Sequence, residues 1–387
     1  MPRIPQVALL VETSLGSGRD ILQGIARYVR EHRPWSLHHE PRALEDEPPR
    51  WLAAWRGDGI IARVQTPALA RAIAATGAPV VDVLGVVPDS AFPLVHVDDA
   101  AIGEMAADHL LERGLRHFAY LGLSGENWSA ARQAAFARAL HRHGYEVHTR
   151  DEPRHEKDDT SWEAHLRSLT AWVRTLPPPC GVMVCSDQRG SLLLEACRRA
   201  GRQVPDEIAV LGVDNDEPLC NVCNPPLSSI WPGHAQVGYQ AAALLGRLMA
   251  GEHPPATPIL IPPRGLVTRH SSDVTAVEDA AVAHALRLIR RHAVERLRID
   301  ELAAAVGISR SVLQRRFRHV VGRTLNEELI RQRLKTAQYL LRETSLPLID
   351  IAERAGFQHQ EYLGAIFKQH LGLTPAAWRR QAREGTA

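Results

Sequence analysis

The sequence predicts an α/β region over its first two-thirds, followed by an all-α region that carries two helix-turn-helix motifs. Three observations predict it. Short Val-, Ile- and Leu-rich runs alternate with amphipathic stretches across the front of the chain, from VALLVE onward. A single sequence unit then occurs twice near the C-terminus. Positive charge is concentrated in that doubled part: residues 278–387 hold 19 Lys and Arg against 12 Asp and Glu, and the rest of the chain holds 27 against 32.

The strand candidates are VALLVE, GIIARV, PVVDVLG, LVHVD, FAYLGL, GVMVCSD and IAVLGVD, with helical stretches at 19–32, 100–113, 130–143 and 188–200. Apolar strands each followed by a helix predict parallel sheets covered on both faces. Ligands of such sheets bind outside the carboxyl ends of the strands. Carboxylates gather there, in Glu12, Asp82, Asp98, Asp187 and Asp214.

The doubled unit reads IDELAAAVGISRSVLQRRFRHVVGRT at 299–324 and LIDIAERAGFQHQEYLGAIFKQHLGLT at 348–374. Ala303, Gly307, Leu313, Phe317, Gly322 and Thr324 align with Ala352, Gly356, Leu363, Phe367, Gly372 and Thr374. A small residue against a neighbouring helix, a turn glycine and an apolar i, i+4 pair on the next helix form a helix-turn-helix pattern. Two such units offer two helices to double-stranded DNA. Ser309 is placed to cap the first reading helix. With Leu313 and Phe317 turned inward, Arg310, Ser311, Gln314 and Arg315 make the predicted reading face. Arg forks onto guanine and Gln onto adenine in the major groove. Arg316 and Arg318 are expected on phosphates or in solvent. In the second unit Gln360 and Glu361 take the matching places beside Gly364 and Ala365. That helix has few basic groups, so the first is expected to dominate readout while the second positions, or reads cytosine through Glu361. A helix over 327–342 joins the units and sets their spacing near one DNA turn, ~34 Å.

Other classes are disfavoured. No apolar run approaches membrane-spanning length, and MPRIPQVALLVET is too short in apolar residues for a signal peptide. A cytoplasmic protein is expected, in which Asn127-Trp128-Ser129 is a chance glycosylation pattern. The five cysteines, Cys180, Cys185, Cys197, Cys220 and Cys223, are odd in number and clustered, against a disulfide framework. Cys220 and Cys223 have metal-like spacing, but no second pair completes four ligands, and reduced thiols in an αβ loop are the plainer reading. GxSxG, P-loop, HExxH and GxGxxG patterns are absent, so no enzyme is expected and no cofactor is assigned.

The series HVDDAAIGEMAADHLLERGLRHFAYLG, NWSAARQAAFARAL, VMVCSDQRG, IAVLGVDNDE and LSSIWPGHAQVGYQAAALL resembles the sensor of LacI/GalR-type repressors. The resemblance implies a type I periplasmic-binding-protein-like fold: two α/β lobes joined by crossing strands, with a sugar in the cleft. GFQHQEYLGAIFKQHLGLTPAAWRR is similar to the AraC/XylS DNA-binding domain, with Leu363 at a commonly aromatic place and Trp378 where Tyr is frequent. The order of the two parts implies a sugar-responsive transcription regulator, an activator with D-xylose as the expected monosaccharide effector. It also implies a homodimer and RNA polymerase as a partner. The readings left beside it are the same build with another pentose or hexose, a DNA-tethered sugar-processing enzyme, and a constitutive DNA-binding protein.

A sugar presents hydroxyls that donate and accept, and apolar C–H faces. Carboxylates, Arg forks and aromatic rings match these. The resemblance carries the family's sugar-binding Arg onto Arg132 and its Asp onto Asp214, with Asn215 beside it. Ser186 stands where a ligand Asn is frequent. Pro232 stands near a usual polar position and leaves that contact open to Trp231. Arg19, in ETSLGSGRD with Glu12 and Ser14, is either a cleft residue, as the resemblance implies, or a solvated helix start. Trp128 either stacks on the sugar or packs in the core. Asp82 and Asp98 bind ligand or cap the following segments, capping being favoured for Asp98. The sensor is expected over 1–270, a polar linker over 271–278 in HSSDVTAV, and the DNA-binding domain over 279–387. Thr275 to Glu278 reads as a capping box, ahead of a helix with Val282, Leu286 and Ile289 on one face.

Overall fold

The computed structural model describes residues 3–384 except 33, 44–45, 88–89, 154–160, 275–278, 296 and 345. The chain divides into two units, Met1–Thr275 and Ala276–Ala387. No helix among the described residues is long and apolar enough to cross a membrane.

The strands of the first unit are β1 (Gln6–Leu10), β2 (Ser36–His39), β3 (Gly59–Ala62), β4 (Val80–Asp82), β5 (Val95–Val97), β6 (His117–Leu123), β7 (Val147–Glu152), β8 (Cys180–Val184), β9 (Ile208–Val213), β10 (Ser228–Trp231), β11 (Ile259–Ile261) and β12 (Gly265–Val267). Its helices are α1 (Gly16–Glu31), α2 (Pro67–Ala74), α3 (Asp99–Leu111), α4 (Asn127–His141), α5 (Ser161–Thr175), α6 (Asp187–Ala200), α7 (Glu217–Val222) and α8 (His234–Met249). One sheet runs β2-β1-β3-β4, all parallel. A parallel bridge from Asp82 to Leu94 and the β5–β11 pair extend it. The second sheet runs β12-β10-β9-β8-β6-β7 and is parallel except for β12. The chain passes between the two sheets after β5, after β10 and between β11 and β12, the two-lobed build that the resemblance implies.

The central strands are buried on both faces, which is why they read as unbroken apolar runs. The strands not anticipated are edge or short ones. β2 is SLHH and β7 is VHTRDE, both largely solvent-facing and polar. Helices α1 and α8 meet backbone to backbone: a Cβ on Gly24 would lie 1.9 Å from Ala235 O, and one on Gly238 would lie 2.0 Å from Ile21 O. Gly103 does the same between α3 and α4, 2.5 Å from Arg132 O.

The segment leaving the first unit is docked rather than loose. Ser271 and Ser272, within the residues read as linker, are both fully buried. Ser271 Oγ donates to Val210 O at 2.7 Å and accepts from Ser228 N at 2.8 Å. His109 Nε2 lies 2.8 Å from Ser272 Oγ, and Arg113 Nε donates to Ser272 O at 2.7 Å.

The second unit is helical: α9 (Ala280–His292), α10 (Ile299–Val306), α11 (Arg310–Val321), α12 (Leu325–Glu343), α13 (Leu348–Arg354), α14 (Gln360–Leu371) and α15 (Pro375–Glu384). It holds two small cores. Val282, Leu286 and Ile289 pack with Leu313 and Phe317 in one, and Ile351 and Ala352 pack with Leu363 and Phe367 in the other. α12 serves both, giving Leu325 and Leu329 to the first and Ile330, Leu334, Ala337 and Leu341 to the second. Thr324 opens α12 with a reciprocal capping box to Glu327. One turn in, buried Glu328 accepts from Arg323 Nε at 2.5 Å, Arg331 Nη2 at 2.8 Å and Gln332 Nε2 at 2.6 Å. The capping box read at Thr275–Glu278 lies outside the described residues. α9 is capped by Asp279, whose Oδ1 accepts from Ala281 N at 3.0 Å and Val282 N at 3.1 Å. Arg316 grips the same carboxylate with two bonds of 2.7 Å. It therefore staples α11 to α9, while 42% of its side chain stays exposed.

Burial first, and the charge of Arg113 second, push His109 from 6.5 down to about 3. The unfolded chain protonates this imidazole near 6.5 while the folded chain resists until about 3. The unfolded state thus binds more protons inside that window, and stability falls as pH drops through it. His109→Asn should flatten this part of the pH profile of the sensor's unfolding midpoint. An unchanged profile would show that the buried imidazole is not its source.

Candidate ligand cleft and nucleic-acid interface

The carboxyl ends of β1 and β3 face those of β8 and β9 across a cleft of about 390 Å³. This lies within the range of small-molecule sites. Its walls combine Leu15, Leu84, Leu123 and Leu192 with Ser17, Arg63, His96, Trp128, Arg132, Ser186, Gln188, Arg189, Asp214 and His234.

The charged groups of the lining come with partners. Arg63 pairs with buried Glu12 and donates to Ser17 Oγ at 3.1 Å. Gly18 lets the loop close there, because a Cβ would sit 2.1 Å from Glu12 O. Arg132 is buried in α4. Its Nε donates to Asp99 Oδ1 at 2.8 Å and its Nη1 to Cys185 O at 2.6 Å. His96 Nε2 stands 3.4 Å from the other oxygen of Asp99. Burial opposes the ionisation of Asp99, but the charge of Arg132 and the His96 contact outweigh it and hold the carboxyl below its usual range. The Trp128 ring lies 4.9 Å from the Arg132 guanidinium. Its Nε1 donates to Glu126 at 2.6 Å, and Glu126 also accepts from Gln65 at 3.2 Å. Arg189 lies 3.4 Å from Glu152. Asp214 Oδ1 is 3.2 Å from His234 Nε2.

Of the sequence-predicted sugar residues, Arg132, Asp214, Trp128 and Ser186 line this cleft. Arg19 and Asn215 are not in the lining. Arg19 donates to Thr13 O at 2.8 Å and Ser14 O at 3.2 Å, and reaches Asp216 Oδ2 at 3.4 Å. Asn215 turns its Oδ1 toward Arg269 Nη2, at 2.9 Å. Asp82 is used locally, accepting from the amides of Val64, Leu84 and Gly85. Asp98 caps α3 through Ala101 N at 3.0 Å. Trp231 lies under Arg264 at 4.9 Å, and neither it nor buried Pro232 joins the lining. Arg63, His96, Arg189 and His234 were not anticipated. Arg63 is the penultimate residue of GIIARV and Arg189 lies two past GVMVCSD, where the strand-end rule already pointed, whereas His96 sits in the middle of LVHVD.

Asp187, first residue of α6, accepts from Ser229 Oγ at 2.6 Å, Asp216 N at 2.9 Å and Cys220 Sγ at 3.3 Å. Burial, then the nearby charge of Asp214, raise its carboxyl above the ordinary range. Cys223 donates to Leu219 O at 3.2 Å. All five cysteines are buried and unbridged. Among the described residues no group of three or more His, Cys, Asp and Glu is placed to hold a metal.

In the helical unit, Ser309 caps α11 and accepts from Val312 N at 3.4 Å. Arg310, Ser311, Gln314 and Arg315 form an exposed face opposite buried Leu313 and Phe317. Arg310 rests 3.0 Å from Asp300. On α14, Gln360 and Glu361 are exposed and share a 3.3 Å hydrogen bond, opposite buried Leu363 and Phe367.

This pairing of folds defines a class: a DNA-binding transcription regulator with a ligand-sensing domain. The description "Periplasmic binding protein-like domain" matches residues 107–272, and "Helix-turn-helix domain" matches residues 302–381. The chain belongs to the family of xylose operon regulatory proteins. It is 33% identical over 386 residues to the Escherichia coli K12 member, covering 97% of this chain and 96% of that one. It is 29% identical to the Haemophilus influenzae member over 97% of this chain and 98% of that one. A solved structure of a xylose-binding transcription activator superposes with a TM-score of 0.80 at 30% identity, covering 98% of both chains.

Removing one member of a buried ion pair strands the other, at a cost of about 3–5 kcal/mol. Asp99→Ala is expected to lose that much of the sensor's stability in chemical denaturation. A loss below about 1 kcal/mol, the range of an exposed pair, would show that Arg132 does not depend on this partner.

Proposed function

We propose that the cleft binds D-xylose and that its occupancy governs DNA reading by the helical unit, making the protein a D-xylose-dependent activator. The observation that carries this is the charge balance of the lining: Arg63, Arg132 and Arg189 each have a carboxylate partner. A site so compensated offers directed donors and acceptors but no spare cation for an anionic ligand, which suits a neutral polyol. Arg132 has Nε and Nη1 engaged by the protein, leaving Nη2 to donate to ring hydroxyls. Asp214, 22% exposed at the side chain, accepts from two neighbouring hydroxyls. Trp128 covers a C–H face, its indole held by Glu126, and Ser186 supplies a further hydroxyl. Arg19 and Asn215 stand outside the lining, bonded to Asp216 and Arg269 instead. The cleft senses rather than transforms its ligand.

Arg310, Ser311, Gln314 and Arg315 of α11 read base edges, and α14 sets position through Gln360 and Glu361. A homodimer presents four such helices to a repeated site and engages RNA polymerase there, in the cytoplasm. The names of the E. coli and H. influenzae relatives and of the solved structure support the choice of xylose.

Thermal shifts against an aldose panel should show specific stabilisation by D-xylose, about 2.7 kcal/mol at a hundredfold excess over Kd, abolished in Asp214→Ala. A D-xylose shift that survives this change would move the site elsewhere. On DNA, Arg315→Ala should cost ~1–3 kcal/mol and relax one base position. Equal losses on specific and random duplexes would reject a base-reading role.

A further inference from the structure

Asp214 and Asn215 follow β9 and are both non-glycine residues at positive φ, 118° and 50°. Side chains rarely tolerate this backbone, and glycine relieves it. The two side chains occupy this uncommon backbone in succession, and Asp and Asn are the non-glycine residues most often found there. They face different things. Asp214 lines the cleft beside His234. Asn215 accepts from Arg269 Nη2 at 2.9 Å.

Arg269 follows β12, the edge strand of the second sheet, which pairs with β10 on one side only. Its Nη1 donates to Leu227 O at 3.0 Å, and its backbone N and O both bond Ser228 Oγ, at 2.8 and 2.9 Å. The first unit ends six residues further on, at Thr275. Asn215 is in turn fixed from beneath, its amide donating to Ser229 Oγ at 3.0 Å and that hydroxyl donating to Asp187 at 2.6 Å. One short, strained dipeptide thus touches the ligand space with one residue and the departing strand with the next.

We propose that the Asn215–Arg269 contact couples sugar occupancy to the position of the segment that leads to the DNA-binding unit, with Arg269 as a positioning residue that never touches the sugar. The proposal rests on the reading that the ligand sits against Asp214. A sugar that draws on the Asp214 carboxylate biases the 214–215 backbone, and Asn215 passes that bias to Arg269. Coupling of this kind is a ratio of affinities, separable from either affinity alone.

The test uses the full chain and the duplex that it selects from a random pool in the presence of D-xylose. Calorimetry gives the D-xylose Kd, and anisotropy gives the ratio of duplex Kd without and with D-xylose. Allosteric ratios are typically on the order of 5–150-fold. Arg269→Lys and Asn215→Gly should keep the D-xylose Kd within about twofold and the unfolding midpoint near wild type, while the ratio collapses toward one. Asn215→Gly suits the positive φ, so it decides the matter if Arg269→Lys folds poorly. Variants that keep the wild-type ratio overturn the coupling role, as does a loss of D-xylose affinity that accounts for the lost ratio. A wild-type ratio of one instead overturns the proposed sugar response itself.

Discussion

A guanidinium placed under a small cleft, out of water, stays there only with a carboxylate against it, and the Arg132–Asp99 pair meets that requirement. Asp99 is the first residue of α3, directly after the chain crosses from β5. Arg132 lies on α4, which α3 touches through Gly103. His96 approaches the same carboxylate from β5. A single ion pair therefore registers a crossing segment, two packed helices and the floor of the cleft. Asp214 is aimed across from it by a backbone that its side chain does not favour, the kind of strain that folds retain at working sites.

Much of this was legible. The central strands are apolar because both faces are buried, so VALLVE, GIIARV and IAVLGVD announced themselves. β2 and β7 did not, because an edge strand in water carries a polar sequence. The duplicated unit was visible because Leu313, Phe317, Leu363 and Phe367 are all fully buried, and burial tolerates little change. Arg132 and Asp214 came through family resemblance. Arg63 and His96 were missed because one polar residue inside a strand looks the same whether it faces a cleft or ends an ion pair. The opposite facings of Asp214 and Asn215 depend on two φ angles that their spelling does not encode. The Arg316–Asp279 pair was hidden for a similar reason: its members lie 37 positions apart in sequence.

The helical unit shows how a repeat becomes one reader. Neither core is closed without α12, which contributes apolar residues to both, so α11 and α14 are held by one shared beam. Glu328, buried and met by Arg323, Arg331 and Gln332, fixes that beam near its start. The two halves are chemically unequal. α11 presents Arg310 and Arg315, whereas α14 presents Gln360 and Glu361, so a common scaffold carries two exposed faces of different chemistry.

Charge compensation in the cleft has a consequence that discriminates between ligand classes. A calorimetric competition between D-xylose and its aldonic acid, repeated at low and high salt, reads it without mutation. Preference for the neutral sugar, with a Kd nearly independent of salt, is the expected result. Tighter binding of the acid, weakening as salt rises, would mean that the arginines of the lining are free to bind an anion and that their pairing does not define the site.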